Sequence, residues 1–188
     1  MNKMSWQVLK KEILAKNKYV TFYKETVKLP NNKILDDYFT VKAPDVVIIM
    51  ALTKNKELIM NKEYRHAIEQ TILQTPGGYV DNNNPLESAK KELLEESGYQ
   101  SNQWQSLGVV IPNPPRTTTK EHLFLALNAK KVAEQKLEPA EQIETLLVPY
   151  NHIKDLFNNK DFCVPGCIVG LHRGLEVIRM SKKTLKNR

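Results

Sequence analysis

The sequence predicts an α/β sandwich, a mixed sheet with helices on its faces, and three observations predict it. Val46-Val47-Ile48-Ile49-Met50-Ala51-Leu52 is an unbroken apolar run of strand length, the mark of a strand covered on both sides. Residues 85–97 read as a helix: Asn84 is a good N-cap, Pro85 suits a first helical position that needs no donor, and Gly98 is a natural stop. Around these, short runs rich in β-branched and aromatic residues alternate with two or three helical patterns.

Taken in order, residues 5–16 (SWQVLKKEILAK) place Trp6, Leu9 and Ile13 at helical spacing, and a strand fits the same stretch. Residues 19–29 read as a strand, Pro30-Asn31-Asn32 as a turn and residues 34–41 as the returning strand. Residues 1–43 are therefore expected to form a small N-terminal antiparallel β subdomain, followed by a main domain over 44–180. Within that domain, Thr53 to Glu57 is a polar turn, 58–60 a partner strand, and 71–74 a strand leading into Pro76-Gly77-Gly78. Beyond the helix, residues 107–111 and 122–127 read as strands on either side of the rigid loop Pro112-Asn113-Pro114-Pro115-Arg116. Residues 145–148 read as a strand and 151–158 as a short helix. A closing helix over 166–180 puts Ile168, Leu171, Leu175 and Ile178 on one stripe. Cys163 and Cys167 flank a Pro-Gly turn and read as packing residues.

Length and composition bound the function. A chain of 188 residues, 41% hydrophobic and 26% charged, is that of a soluble globular protein with one full core. No apolar run approaches a membrane span, and the first twenty residues are too charged for a signal peptide. Two cysteines are too few for a disulfide framework, and the cytoplasm is the expected compartment. The net charge of +7 sits at the ends. Residues 1–30 hold seven Lys against two Glu, and residues 179–188 hold five Lys or Arg and no acid. The intervening residues carry 16 basic and 19 acidic side chains, so a nucleic-acid surface is not expected, and residues 181–188 read as a basic, solvated tail.

The helix over 85–97 carries the chemistry. Leu86, Ala89 and Leu93 fall on one face, while Glu92, Glu95 and Glu96 share another at spacings of three and four. Like charges so placed weaken a helix by a few tenths of a kcal/mol per pair, roughly, unless a cation sits among them. Oxygen donors of this kind suit Mg²⁺, or Mn²⁺ in its place, rather than zinc. The plain alternative is a solvated face in which Glu87–Lys91 and Lys91–Glu95 are surface ion pairs.

The stretch from Pro76 to Gln100 resembles the Nudix box. Counted from Gly77, the sequence supplies Gly77, Glu92, Leu93, Glu95, Glu96, Gly98 and Tyr99 in register. Two positions depart: Asn83 stands where the box has its first glutamate, and Lys91 where it has arginine. The resemblance implies a Nudix-type α/β/α sandwich, most similar to the ADP-ribose pyrophosphatase branch. It also implies a cation held by Glu92, Glu95 and Glu96 with the carbonyl of Gly77 or Gly78. In the family the box arginine orients a catalytic glutamate through a two-pronged contact, and Lys91 keeps the charge without the fork.

Other positions acquire meaning through the same resemblance. Arg65 precedes Pro76 by eleven residues, the spacing at which branch members bind the substrate diphosphate with an arginine. Pro114 or Pro115 fills the place of a proline typical of enzymes acting on ADP-ribose, and Arg116 offers a second phosphate contact. The general base is Glu141 or one of the box glutamates, Glu95 among them, with Glu138 as the fallback for the loop position. The N-terminal sheet would help build a homodimer. The expected reaction is metal-assisted attack of water on the diphosphate of a nucleoside diphosphate sugar, ADP-ribose first. The rival readings are a non-catalytic nucleotide sensor on the same fold and a hydrolase of capped RNA or dinucleotides.

Overall fold

The computed structural model describes residues 4–186. It resolves into two compact units: residues 1–45 with 111–120, and residues 46–110 with 121–188.

The first unit is a three-stranded antiparallel meander of β1 (Gln7–Lys16), β2 (Thr21–Lys28) and β3 (Ile34–Lys42), in that order. Residues 7–16, whose pattern fits helix and strand alike, are thus a strand, and pairing with β2 decides it. Asn32 makes the turn between β2 and β3 in the left-handed region, at φ 63°, which asparagine tolerates well. Trp6 meets Tyr38 edge-on and Phe22 stacks on Phe39, while buried Glu25 is held by Lys11 Nζ at 2.6 Å and Thr40 Oγ1 at 2.8 Å. Residues 111–120 dock on β3, where the Val41 N–H donates to the Arg116 carbonyl at 2.7 Å.

The second unit is an α/β/α sandwich around a seven-stranded mixed sheet. Its central strands run in the order β10 (Ile143–Pro149), β5 (Glu57–Arg65), β4 (Val46–Thr53), β9 (Glu121–Lys131), β7 (Tyr99–Gln100). The short β6 (Gln70–Gln74) pairs with β5, and β8 (Gln103–Val110) with β9. β4 lies parallel to β9 and antiparallel to β5, which makes the sheet mixed. The apolar run explains the layering. Ile48, Met50 and Leu52 face the core shared with α2 (Pro165–Lys186), whereas Val47, Ile49 and Ala51 face the core shared with α1 (Pro85–Ser97).

Several sequence expectations change. Pro165-Gly166 opens α2 instead of forming a turn. Cys167 is a core residue, but Cys163 is exposed, so packing explains only one of the two cysteines. Glu87 pairs with Lys90 at 2.7 Å and not with Lys91. The helix expected over 151–158 is a 3-10 helix, Tyr150–Asn158. α2 continues through most of the stretch read as a tail, to Lys186, and Asn187 and Arg188 lie outside the described residues. Among the described residues no helix is long and apolar enough to cross a membrane.

Candidate active site

Helix α1 is placed by its caps and its apolar face. Asn84 accepts the Glu87 N–H, and Gly98 closes the helix at φ 73° with its N–H on the Leu94 carbonyl. Ala89 and Leu93, fully buried, seat it against β4, with Leu86 packed at the edge of the same cluster. Burying a leucine contributes about 2 kcal/mol, so this face fixes the rotation of the helix. Glu96 is thereby turned inward and is 3% exposed, Glu92 is half-buried, and Glu95 stays at the rim.

The glycine turn is pressed between this helix and β4. Ile49 N–H donates to the Pro76 carbonyl at 2.9 Å and Val47 N–H to the Gly78 carbonyl at 2.8 Å. A Cβ on Gly77 would stand 2.2 Å from the Val47 carbonyl oxygen, and one on Gly78 would stand 2.5 Å from the Glu92 carboxylate. At Gly77 the obstacle is backbone, which cannot give way, whereas at Gly78 it is the end of a flexible side chain. The Gly77 N–H donates to Glu96 Oε2 at 2.8 Å. Since Gly78's carbonyl already serves the sheet, Gly77's carbonyl is the better placed of the two to meet a ligand.

The two departures from the box have local explanations. Asn82 and Asn83 both adopt the left-handed region, at φ 50° and 54°, in a turn closed by the Asn84 N–H on the Asp81 carbonyl. Asparagine bears that conformation more easily than glutamate. Lys91 binds Asp81 at 2.8 Å and reaches Glu95 only at 3.9 Å, so its charge is drawn toward the turn.

The carboxylates form one electrostatic group. Burial pushes Glu96 well above the usual carboxylate range; the Gly77 N–H opposes this, and the charges of Glu92, Glu141 and Glu63 reinforce it. Burial likewise pushes Glu92 up to about 7, opposed by Lys91 and reinforced by Glu95, Glu141 and Asp81. Glu63 is raised by burial against the pull of Arg65, with Glu141 again adding repulsion. Glu141 therefore acts on all three, whereas Glu138 is an exposed loop residue whose N–H donates to Glu141 Oε2 at 2.8 Å.

Arg65 extends from the end of β5 with its side chain 44% exposed. Its Nη2 lies 2.9 Å from Glu63 Oε2, and its Nε donates to Gln74 Oε1. Gln74 in turn donates to Glu63 Oε2 at 2.6 Å, so a buried pair steadies an exposed guanidinium. Arg116 lies in the first unit, where Nη1 donates to the Phe39 carbonyl at 3.1 Å and the guanidinium covers the Tyr38 ring.

Sequence reasoning misses Glu63, Gln74 and Asn61. Asn61 is fully buried, and its Nδ2 donates to Glu96 Oε2 at 3.0 Å. A signal exists: on β5 the alternation Ile59, Asn61, Glu63, Arg65 turns one sheet face from apolar to polar, and an asparagine there interrupts a core position.

A family model for the NUDIX domain matches residues 41–163. The chain belongs to the Nudix family. A relative from Bacillus subtilis named ADP-ribose pyrophosphatase is 28% identical over 163 residues, spanning 86% of this chain and 88% of that one. A Streptomyces rubellomurinus CMP-5'-(N-acetyl-N-hydroxy-3-aminopropyl)phosphonate hydrolase is 25% identical, spanning 89% and 81%. A crystal structure titled as an ADP compounds hydrolase superposes with a TM-score of 0.81 at 21% identity, covering 94% of this chain and 95% of that one, and supports the Nudix fold. The chain is a Nudix pyrophosphohydrolase, similar to the ADP-ribose pyrophosphatases.

Nudix hydrolases generally use divalent metals. Among the described residues no three His, Cys, Asp or Glu side chains converge tightly enough to hold an ion as they stand. The donor chemistry nevertheless fits one. Desolvated carboxylates that repel one another, with Lys91 and Arg65 as the neighbouring cations, are the environment a divalent charge relieves, and all the donors are hard oxygens.

Proposed function

We propose that this Nudix chain hydrolyses the diphosphate linkage of a nucleoside diphosphate sugar, with ADP-ribose the first candidate, in the presence of Mg²⁺. Mn²⁺ would substitute for it. The observation that carries the reading is the crowding of Glu92 and Glu96 under the glycine turn, within the field of Glu141 and beside a braced Arg65. The naming of the Bacillus subtilis relative supports the choice of substrate.

In this reading Glu92, Glu95 and Glu96, with the Gly77 carbonyl, hold the cation. Bound there, it supplies charge neutralisation for the diphosphate and acidifies a nearby water. Arg65 binds the diphosphate with its two-pronged guanidinium, kept in place by Glu63 and Gln74. Glu141 or Glu95 takes the proton from the attacking water. Cleavage breaks one P–O bond of the bridge and yields a nucleoside monophosphate and a sugar phosphate. Arg116, which the resemblance offers as a further phosphate contact, is held within the first unit by the Phe39 carbonyl and the Tyr38 ring.

The exposed Val8, Leu9, Ile13, Leu14 and Ile34 of the three-stranded sheet support a homodimer, and the unpaired cysteines support the cytoplasm.

The test is incubation of the purified protein with ADP-ribose, GDP-mannose, NADH and dinucleoside polyphosphates, with and without Mg²⁺. Release of AMP and ribose phosphate only when Mg²⁺ is present is expected. A panel left intact with every metal tried would remove the hydrolase reading and leave the sensor.

A further inference from the structure

Two facts about Glu96 need a cause. Its carboxylate is almost wholly out of water, yet it is tied down at one oxygen only: Oε2 accepts both the Gly77 N–H at 2.8 Å and Asn61 Nδ2 at 3.0 Å. Oε1 has no hydrogen-bond partner among the described residues. The helix itself does not orient the group, because Lys91 is bound to Asp81 and leans toward Glu95.

Asn61 is an expensive way to hold a carboxylate. It is fully buried at the inward face of β5, and its Oδ1 is a buried acceptor without a partner. Leaving such a group unmatched destabilises the folded chain, because its desolvation is not offset. Leucine would fill the place of an inward residue beside Ile59 at no such cost. Moreover, neither Asn61 Oδ1 nor Glu96 Oε1 has a hydrogen-bond partner among the described residues, and once Glu96 is ionised the two are bare oxygens on one contacting pair, the kind of donor set that suits a hard cation.

We propose that Asn61 is a positioning residue for the cation site: with the Gly77 N–H it clamps Glu96 Oε2 and so presents Oε1 to the metal. This rests on the hydrolase reading above. Glu96 is in effect held from the sheet instead of from its own helix, and the grip is neutral, so it does not compete with a cation for the carboxylate charge. Partners of this kind, once removed, weaken metal binding about 10- to 100-fold.

The experiment titrates Mn²⁺ into the metal-free protein, following free Mn²⁺ by electron paramagnetic resonance and the melting temperature alongside. Asn61→Leu is expected to bind Mn²⁺ at least about tenfold more weakly than the parent while melting no lower in EDTA. In a Glu96→Gln background the same change is expected to have no further effect, which a merely structural asparagine would not produce. Asn61→Ala adds no bulk and is read in the same way should the leucine variant fail to fold. Parental affinity in both variants would overturn the proposal. So would an equal loss in the Glu96→Gln background, which would make Asn61 an independent ligand. A parent that binds no Mn²⁺ at all would instead overturn the hydrolase reading, and with it this one.

Discussion

Lys91 Nζ lies 2.8 Å from Asp81 Oδ2, bridging the turn before α1 to its second turn, and its remaining reach toward Glu95 is 3.9 Å. The lysine that replaces the box arginine therefore holds the loop as well as biasing the carboxylates. Its charge still acts on Glu92, whose carboxyl it pulls down against burial.

Lys91→Ala should consequently do two separable things. Stability changes little, within about 1 kcal/mol, because the pair is exposed and screened. Glu92 loses the cation that lowers its pKa, so it ionises at a pH above its present value of about 7. The acid limb of the kcat/KM profile with Mg²⁺ should move to higher pH. An unshifted limb would mean that Glu92 ionisation does not govern turnover.

Stability of the metal-free protein should fall as pH rises. Glu92 has a folded pKa raised to about 7 from an ordinary 4.5, and Glu96 is raised further by burial. In the window from about 4.5 to 7 the folded state holds protons that the unfolded state has released, so ionisation favours unfolding. What is present below that window is lost as pH passes through it. Melting temperatures in EDTA at pH 5 and pH 8 check this, and Mg²⁺ should restore the higher value at pH 8.

Glu96→Gln should cut Mg²⁺-dependent turnover by at least about 100-fold, since a charged donor is replaced by a neutral one. The amide oxygen can still accept from Gly77 and Asn61, and no charge remains to be desolvated. In EDTA at neutral pH the variant should melt at or above the parent. Unchanged turnover would take Glu96 out of the site.

Gly77→Ala and Gly78→Ala should separate structure from chemistry. At Gly77 the added carbon meets backbone of β4 and cannot be accommodated without moving it, a cost of about 1–3 kcal/mol. At Gly78 it meets the end of the Glu92 side chain, which can swing away. The second variant should melt near the parent and need more Mg²⁺ for half-maximal rate. Chemical denaturation and a metal titration measure the two effects.

Arg65→Ala should raise KM for ADP-ribose by at least about tenfold, the loss of a charge-assisted contact. Arg116→Ala should do less, because that guanidinium is already engaged by Phe39 and Tyr38.

What is legible in the sequence comes from local rules. The caps of α1 at Asn84 and Gly98 and the doubly covered β4 follow from one-residue chemistry and from length. β1 is ambiguous because its apolar residues fit either period, and only pairing across to β2 decides. The polar half of β5 is hidden for another reason. Asn61 and Glu63 look like ordinary surface residues until the antiparallel partner β6 brings Gln74 over and α1 brings Glu96 down. Asn83 reads as a lost acid, whereas its backbone angle is what the turn requires.

The first unit is stitched from two distant stretches of chain, 1–45 and 111–120. A truncation that begins at Val46 is therefore no clean excision. It would carry residues 111–120 as an orphaned strap, with Arg116 stripped of Phe39 and Tyr38 and Pro115 of the Tyr38 hydroxyl. Any minimal catalytic fragment of this protein has to be engineered at two places, with a short linker closing the gap from β8 to β9.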